Sequence, residues 1–160
     1  MINNIKTKRI ILASKSPRRT ELLAGLGVEF ISKTKDIEED FPEEMDPPVV
    51  PRYLAEKKAL AFRDDLEDQD LLITADTVVI VDGAILNKPA DKREALLMLQ
   101  KLSGNVHQVV TGVCMMDQEK SVIFDDQTEV HFKALEEEEL LDYIDRFKPY
   151  DKAGAYGVQE

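Results

Sequence analysis

The sequence predicts an α/β fold with a mixed central sheet flanked by helices. Short β-branched apolar runs alternate with segments of helical spacing along most of the chain. One run, residues 71–81, is apolar enough for a strand buried on both faces. That run and Ile85-Leu86 form a hairpin among helical crossovers, so the sheet mixes strand directions. A chain of 160 residues suits one domain, at most two small lobes, and buries roughly 70% of the surface its unfolded form exposes.

Residues 9–13 are an isoleucine-rich run bounded by serine, a buried strand. Ser14-Lys15-Ser16-Pro17 breaks it. Ser16 offers a hydroxyl N-cap, and Pro17 suits the first helical position because its missing N–H is not needed there. Residues 18–24 start a helix with Leu22, Leu23 and Leu26 on one side, and Gly25 or Gly27 closes it. Val28-Glu29-Phe30-Ile31 is a second strand. Residues 36–51 hold seven acids and four prolines, which makes them a loop. Helical spacing resumes over 50–65, with Leu54, Ala55, Ala59 and Phe62 inward.

The central strand over 71–81 is interrupted by Ala75-Asp76-Thr77. Gly83 allows a turn, and Asn87-Lys88-Pro89 is a loop. Asp91 caps a helix reaching about Leu102, with Ala95, Leu96, Leu99 and Leu102 inward. Residues 106–116 alternate as a strand, and 121–124 and 127–133 read as two more. Residues 136–147 form a helix with Leu140, Leu141, Ile144 and Phe147 inward, and 148–160 are glycine-containing loop. No internal repeat appears.

Lys and Arg total 21 against 32 Asp and Glu, a formal net charge of −11. Such a chain is repelled by nucleic acid and anionic membranes at long range, but a local cation cluster can still hold a small phosphorylated ligand. The one cysteine, Cys114, excludes an intrachain disulfide and fits a reducing compartment. No stretch is long enough for a membrane span, and the apolar run after the basic start is too short for a signal peptide. The expected location is the cytoplasm.

Five segments could carry chemistry. Ser14, Ser16, Arg18 and Arg19 stand at a strand–helix junction, where helix N–H groups, hydroxyls and guanidinium forks suit phosphate. A plainly capped helix with solvated arginines explains them as well. The patterns of the P-loop and the dinucleotide fingerprint are absent. Asp76 is a carboxylate inside an apolar run, costly to bury unless paired, hydrogen-bonded or metal-bound. Its plainer reading is a strand-end turn residue, with Thr77 adding a hydroxyl. The acids around Glu39 could supply a hard cation with carboxylate oxygens, or simply be a solvated loop. Lys58 and Lys88 could offer point charges to phosphate, or be surface lysines. Near the end, small residues allow close backbone approach to a ligand, and the Gln159 amide could read a base edge. Cys114 reads as core, the two histidines make no zinc pattern, and the glutamates at 136–139 read as a solvated first turn.

In order and spacing the chain resembles the Maf family of nucleoside triphosphate pyrophosphatases. The resemblance starts at Leu12-Ala13-Ser14-x-Ser16-Pro17-Arg18-Arg19-x-x-Leu22-Leu23 and continues at Glu39 and Leu54-Ala55-x-x-Lys58-Ala59. Then come Ala75-Asp76-Thr77-Val78-Val79, Leu86-x-Lys88-Pro89 and Leu102-Ser103-Gly104-x-x-His107-x-Val109-x-Thr111-Gly112-Val113. It ends at Asp151-Lys152-Ala153-Gly154-Ala155-Tyr156-Gly157-x-Gln159. Asn87, Asn105 and Lys148 depart from the residues common in the family.

The resemblance implies an inosine triphosphate pyrophosphatase-like fold with two lobes around a cleft. It implies metal-dependent hydrolysis of a nucleoside triphosphate between the α and β phosphates, with Mg or Mn as cofactor, and a homodimer. Asp76 matches the catalytic proton acceptor, while its role as base or metal ligand stays open. Arg18, Thr77 and Gln159 match positions tied to substrate choice, and Glu39, Lys58 and Lys88 match residues lining the phosphate and metal site. The ending resembles the branch acting on dTTP and UTP. Family members continue past the position of Gln159, so residues 1–160 are expected to be a single domain lacking the usual C-terminal end. The alternative function is a non-catalytic nucleotide-binding regulator of septum formation or cell division.

Overall fold

A computed structural model of the chain describes residues 7–158. Its elements are β1 (Arg9–Leu12), α1 (Pro17–Gly25), β2 (Phe30–Ser32), α2 (Val50–Leu60), β3 (Asp70–Val81), β4 (Ala84–Leu86), α3 (Lys92–Leu102), β5 (Val106–Met116), β6 (Ser121–His131) and α4 (Glu137–Phe147). Short 3-10 turns cover Pro47–Val49, Arg63–Asp65 and Ala153–Ala155. The strands form one six-stranded sheet in the order β2-β1-β3-β5-β6, with β4 paired to β3. β1 runs parallel to β2 and β3, and β4 runs antiparallel to β3, so the expected mixed sheet is present.

The chain divides into two compact units. The first holds the described residues up to Met45, then Val49–Asp76 and Thr111–Asp125. Its core joins Ile11, Ala55, Ala59, Phe62, Leu66, Leu72, Cys114 and Met116. α2 approaches closely where the residues that meet the sheet are small. Ala55 and Ala59 lie one turn apart on its buried face, and on β5 a Cβ at Gly112 would collide with the Pro51 carbonyl group and the Arg52 amide. At the start of β3, the buried Asp70 accepts 2.6 and 2.9 Å hydrogen bonds from the Arg9 guanidinium, which locks the β1–β3 register. That bond holds the Asp70 carboxyl below the usual carboxylate range.

The second unit holds Asp46–Pro48, Thr77–Val110 and the described residues from Asp126 onward. α3 packs on α4 through Ala95, Leu99, Leu140 and Ile144. Asp91 caps α3 as expected, accepting a 2.9 Å bond from the Glu94 amide. His107 Nε2 lies 2.6 Å from the Tyr156 hydroxyl, and both rings stack edgewise with Phe132. Gly154 sits at φ +68, donates to the Asn87 carbonyl at 3.2 Å, and would place a Cβ 3.0 Å from the Val79 methyls. Its smallness therefore serves packing on β3, where the sequence suggested approach to a ligand.

Other expectations need correcting. Leu22 and Leu26, which spacing puts on one side of α1 with Leu23, are 69% and 63% exposed, and α1 buries no residue. Periodicity gave that helix an apolar stripe, but no described element covers it. The helix expected over 50–65 ends at Leu60, and a separate 3-10 turn follows. Residues 121–133 form one strand to His131 rather than two, because on this mostly exposed strand Asp126 stands in solvent and Asp125 pairs with Arg52 at 3.1 Å without breaking the ladder. Leu141 and Phe147 are only half-buried. No helix among the described residues is long and apolar enough to cross a membrane.

Candidate active site

The first unit gathers seven of the ten predicted residues: Ser14, Ser16, Arg18, Arg19, Glu39, Lys58 and Asp76. Thr77 and Lys88 belong to the second unit, and Gln159 lies outside the described residues.

Asp76 sits on β3 and is 8% exposed. Its carboxylate is paired, which removes the turn reading. Lys58 Nζ donates to Asp76 Oδ1 at 2.6 Å and lies 2.7 Å from Glu39 Oε1. Lys58 is thus no surface lysine, and Glu39, a half-exposed loop acid, is paired with it. The neighbouring acids do pair at the surface: Asp36 with Lys15 at 2.6 Å, and Asp40 with Lys57.

One buried bond sets this convergence. Thr74 Oγ1 donates to the Ala55 carbonyl at 2.6 Å and pins β3 to α2. Asp76 is two residues beyond Thr74, hence on the same strand face. Lys58 is three residues beyond Ala55, hence on the same helix face. Fixing the first pair brings the second together. Sequence reasoning missed Thr74; its only signal was a hydroxyl in the middle of an apolar run.

Burial pushes the Asp76 carboxyl up from the ordinary carboxylate range, and Glu39 adds to the rise. Lys58 opposes it by charge and hydrogen bond, and Arg19 by charge. The carboxylate is therefore a stronger base than a solvated one and still has cations that favour its charged form.

At the junction of β1 and α1 the geometry differs from expectation. Ser16 occupies the N-cap position, but its side chain makes no cap hydrogen bond. Instead the Ser14 hydroxyl accepts a 3.1 Å bond from the Ser16 amide, a two-residue serine turn that leads into Pro17. Arg19 reaches back to β3, where Nη1 donates to the Ala75 carbonyl at 2.7 Å. Burial lowers the Arg19 pKa, the charges of Asp76 and Glu39 act against it, and Arg18 reinforces it. Arg18, Arg19 and the two carboxylates thus share one electrostatic neighbourhood.

Among the described residues, no three His, Cys, Asp or Glu side chains group as a metal cage. Glu39 and Asp76 nevertheless converge on one positive charge, and a hard cation on a polyphosphate asks for one or two carboxylates, the phosphate oxygens completing its shell. The donor set fits that role. Cys114 is fully buried with its thiol pushed up to about 11, mainly by burial, so it is core and not nucleophile.

Residues 9–160 match the family described as Maf-like protein. The chain is 53% identical over 163 residues to the dTTP/UTP pyrophosphatase of Porphyromonas gingivalis, covering all of this chain and 82% of that one. It is 47% identical over 161 residues to the dTTP/UTP pyrophosphatase of Parabacteroides distasonis, covering 100% and 83%. Among solved structures, the Staphylococcus aureus Ham1 protein superposes with a TM-score of 0.55 at 16% identity, over 78% of this chain and 71% of that one. That likeness speaks for the fold alone. The family match spans nearly the whole sequence, and so the chain belongs to the Maf family.

Proposed function

We propose that the chain hydrolyses dTTP and UTP to the monophosphate and pyrophosphate. The observation that carries this reading is the buried Asp76, raised in basicity by burial and held through Lys58 beside Glu39. Family membership and the names of the Porphyromonas and Parabacteroides relatives support the reaction and the substrates.

In the proposed mechanism Asp76 orients a water molecule and takes its proton as the water oxygen attacks phosphorus. The bridging P–O bond between α and β phosphates breaks, and the leaving phosphates carry away its electron pair. Lys58, Arg18 and the hydroxyls of Ser14 and Ser16, with Lys88, bind the polyphosphate and stabilise charge that grows on its oxygens. Thr77 and Gln159 select the nucleoside. Glu39 and Asp76 would hold magnesium or manganese, which when bound supplies Lewis acidity to the phosphate oxygens. β3 passes from the first unit into the second between Asp76 and Thr77, and we take the two units to act as one catalytic domain. A cytoplasmic location fits the nucleotide substrate and the single cysteine, and a homodimer is part of the same proposal.

The test is product analysis by chromatography with dTTP, UTP and other triphosphates in the presence of Mg²⁺ or Mn²⁺. Pyrophosphate and dTMP or UMP are expected. Asp76→Asn should lower turnover by about 10²–10⁴-fold while the chain stays folded. Near-normal hydrolysis by that variant would remove Asp76 from the mechanism, and no turnover of any triphosphate by the wild type would remove the function.

A further inference from the structure

The β1–β3 ladder ends just before Asp76. β1 pairs with β3 from Arg9 opposite Asp70 to Leu12 opposite Ile73, and the last rung is the Ala13 amide donating to the Ile73 carbonyl at 2.9 Å. Beyond Ala13 the chain turns through Ser14 and Ser16 into α1 and supplies no further rung. Carbonyls two apart on a strand point to the same side, so the next β3 carbonyl facing the vacated position is that of Ala75. Ala75 is 7% exposed, and a buried carbonyl needs a donor. Arg19 supplies it: Nη1 lies 2.7 Å from the Ala75 oxygen.

We infer that Arg19 is a positioning residue for the proposed reaction: its guanidinium replaces the missing β1 rung at Ala75 and so fixes the backbone that carries Asp76. Sequence reasoning placed Arg19 among the phosphate contacts. The inference rests on the proposed reading for its kinetic consequence, and gives Arg19 a different task from Arg18. The peptide group that accepts the bond joins Ala75 to Asp76. A shift there moves the Asp76 carboxylate directly, and a misplacement of 1 Å at a reacting group can lower the rate about 100-fold.

The experiment compares Arg19→Met, Arg19→Lys and Arg18→Met in the full chain. Steady-state kinetics and equilibrium binding of dTTP are measured together with amide hydrogen exchange of the peptide spanning residues 74–78. Arg19→Met should lower kcat by about 100-fold, leave KM and dTTP affinity within about twofold, and speed exchange in that peptide. Arg19→Lys keeps one donor and should recover part of kcat and of the protection. Arg18→Met should raise KM without changing exchange. A KM or dissociation constant tenfold higher for Arg19→Met, with kcat and exchange unchanged, would make Arg19 a phosphate contact and overturn the inference. If the wild type turns over no triphosphate, the functional proposal fails, and the exchange measurement still decides whether Arg19 holds the strand. Should Arg19→Met fail to fold, Arg19→Lys decides on the same readouts: protection retained with normal dTTP affinity supports the tether, and protection retained with affinity lost tenfold refutes it.

Discussion

Lys58→Met deletes the ammonium that two carboxylates share and keeps most of the apolar stem. Lys58 Nζ lies 2.6 Å from Asp76 Oδ1 and 2.7 Å from Glu39 Oε1, and the three side chains are 14%, 11% and 45% exposed. Removing one member of a buried pair costs about 3–5 kcal/mol, because the other charge stays behind without a partner. The half-exposed Glu39 arm adds at most about 1 kcal/mol. For a chain of this size, each kcal/mol moves Tm by about 2–4 °C, so the loss at neutral pH is roughly 10 °C. Burial already raises the Asp76 carboxyl, and Lys58 opposes that rise. Without Lys58 the larger opposition goes, only the charge of Arg19 opposes and the repulsion from Glu39 stays, so the folded-state value climbs further above the unfolded one. A carboxyl raised in the fold favours folding below its unfolded value and loses that contribution as pH rises through the folded value. The deficit of the variant is therefore largest at neutral pH and narrows on acidification. Denaturant titrations of both proteins at about pH 7.5, 6 and 5 measure it. A deficit equal at pH 5 and 7.5, or below about 1 kcal/mol at pH 7.5, would refute the coupling of Lys58 to buried Asp76.

Gly112→Ala places a methyl group against the Pro51–Arg52 backbone, which cannot rotate away as a side chain could. A loss of about 3 kcal/mol or more is expected, read as Tm and as yield of folded protein. Tyr156→Phe strands His107 Nε2 in a site where Nδ1 already has no hydrogen-bond partner among the described residues, and should cost about 1–3 kcal/mol in denaturant titration. Burial also holds the His107 imidazole below its usual range. Its contribution to stability is thus present above about pH 6.5 and is lost as pH falls towards the folded value, so His107→Phe should flatten the wild-type stability slope across that window.

The long elements were legible because their patterns are long. β5, α3 and α4 each span eleven residues of clear period, β3 is a twelve-residue and mostly apolar run, and Asp91 announces its cap. α1 shows what periodicity omits: it places Leu22 and Leu26 on one stripe but cannot say whether anything lies over that stripe. The same limit explains β6, where a pair of aspartates looks like a break unless the strand is known to be exposed. Within the site, Asp76 was legible because a carboxylate in an apolar run is an incongruity with few physical solutions. Its partners were legible only through the family resemblance. The meeting of Lys58, Glu39 and Asp76 depends on the bond from Thr74 to Ala55, nineteen residues apart, and no local spacing encodes it. The serine turn at Ser14 escaped for a simpler reason: Pro17 marks Ser16 as the N-cap position, but sequence does not say which hydroxyl takes a backbone amide there.

The cations around Asp76 have to meet two demands that pull against each other. A base needs a pKa lifted towards working pH, and burial supplies the lift; it also needs to be ionised before the reaction starts, which burial opposes. Lys58 and Arg19 resolve the conflict by favouring the charged form without restoring solvent. Their first task in the ligand-free protein is thus to keep a buried carboxylate charged, and the attraction Lys58 offers a polyphosphate is a further use of the same field. Arg18 differs, since its charge bears on Arg19. The overall charge of −11 makes the local arrangement necessary. A polyanion approaching this chain meets repulsion over most of its surface, and only where guanidinium and ammonium groups outnumber the carboxylates they accompany can the sign reverse over the few ångströms that screening leaves open.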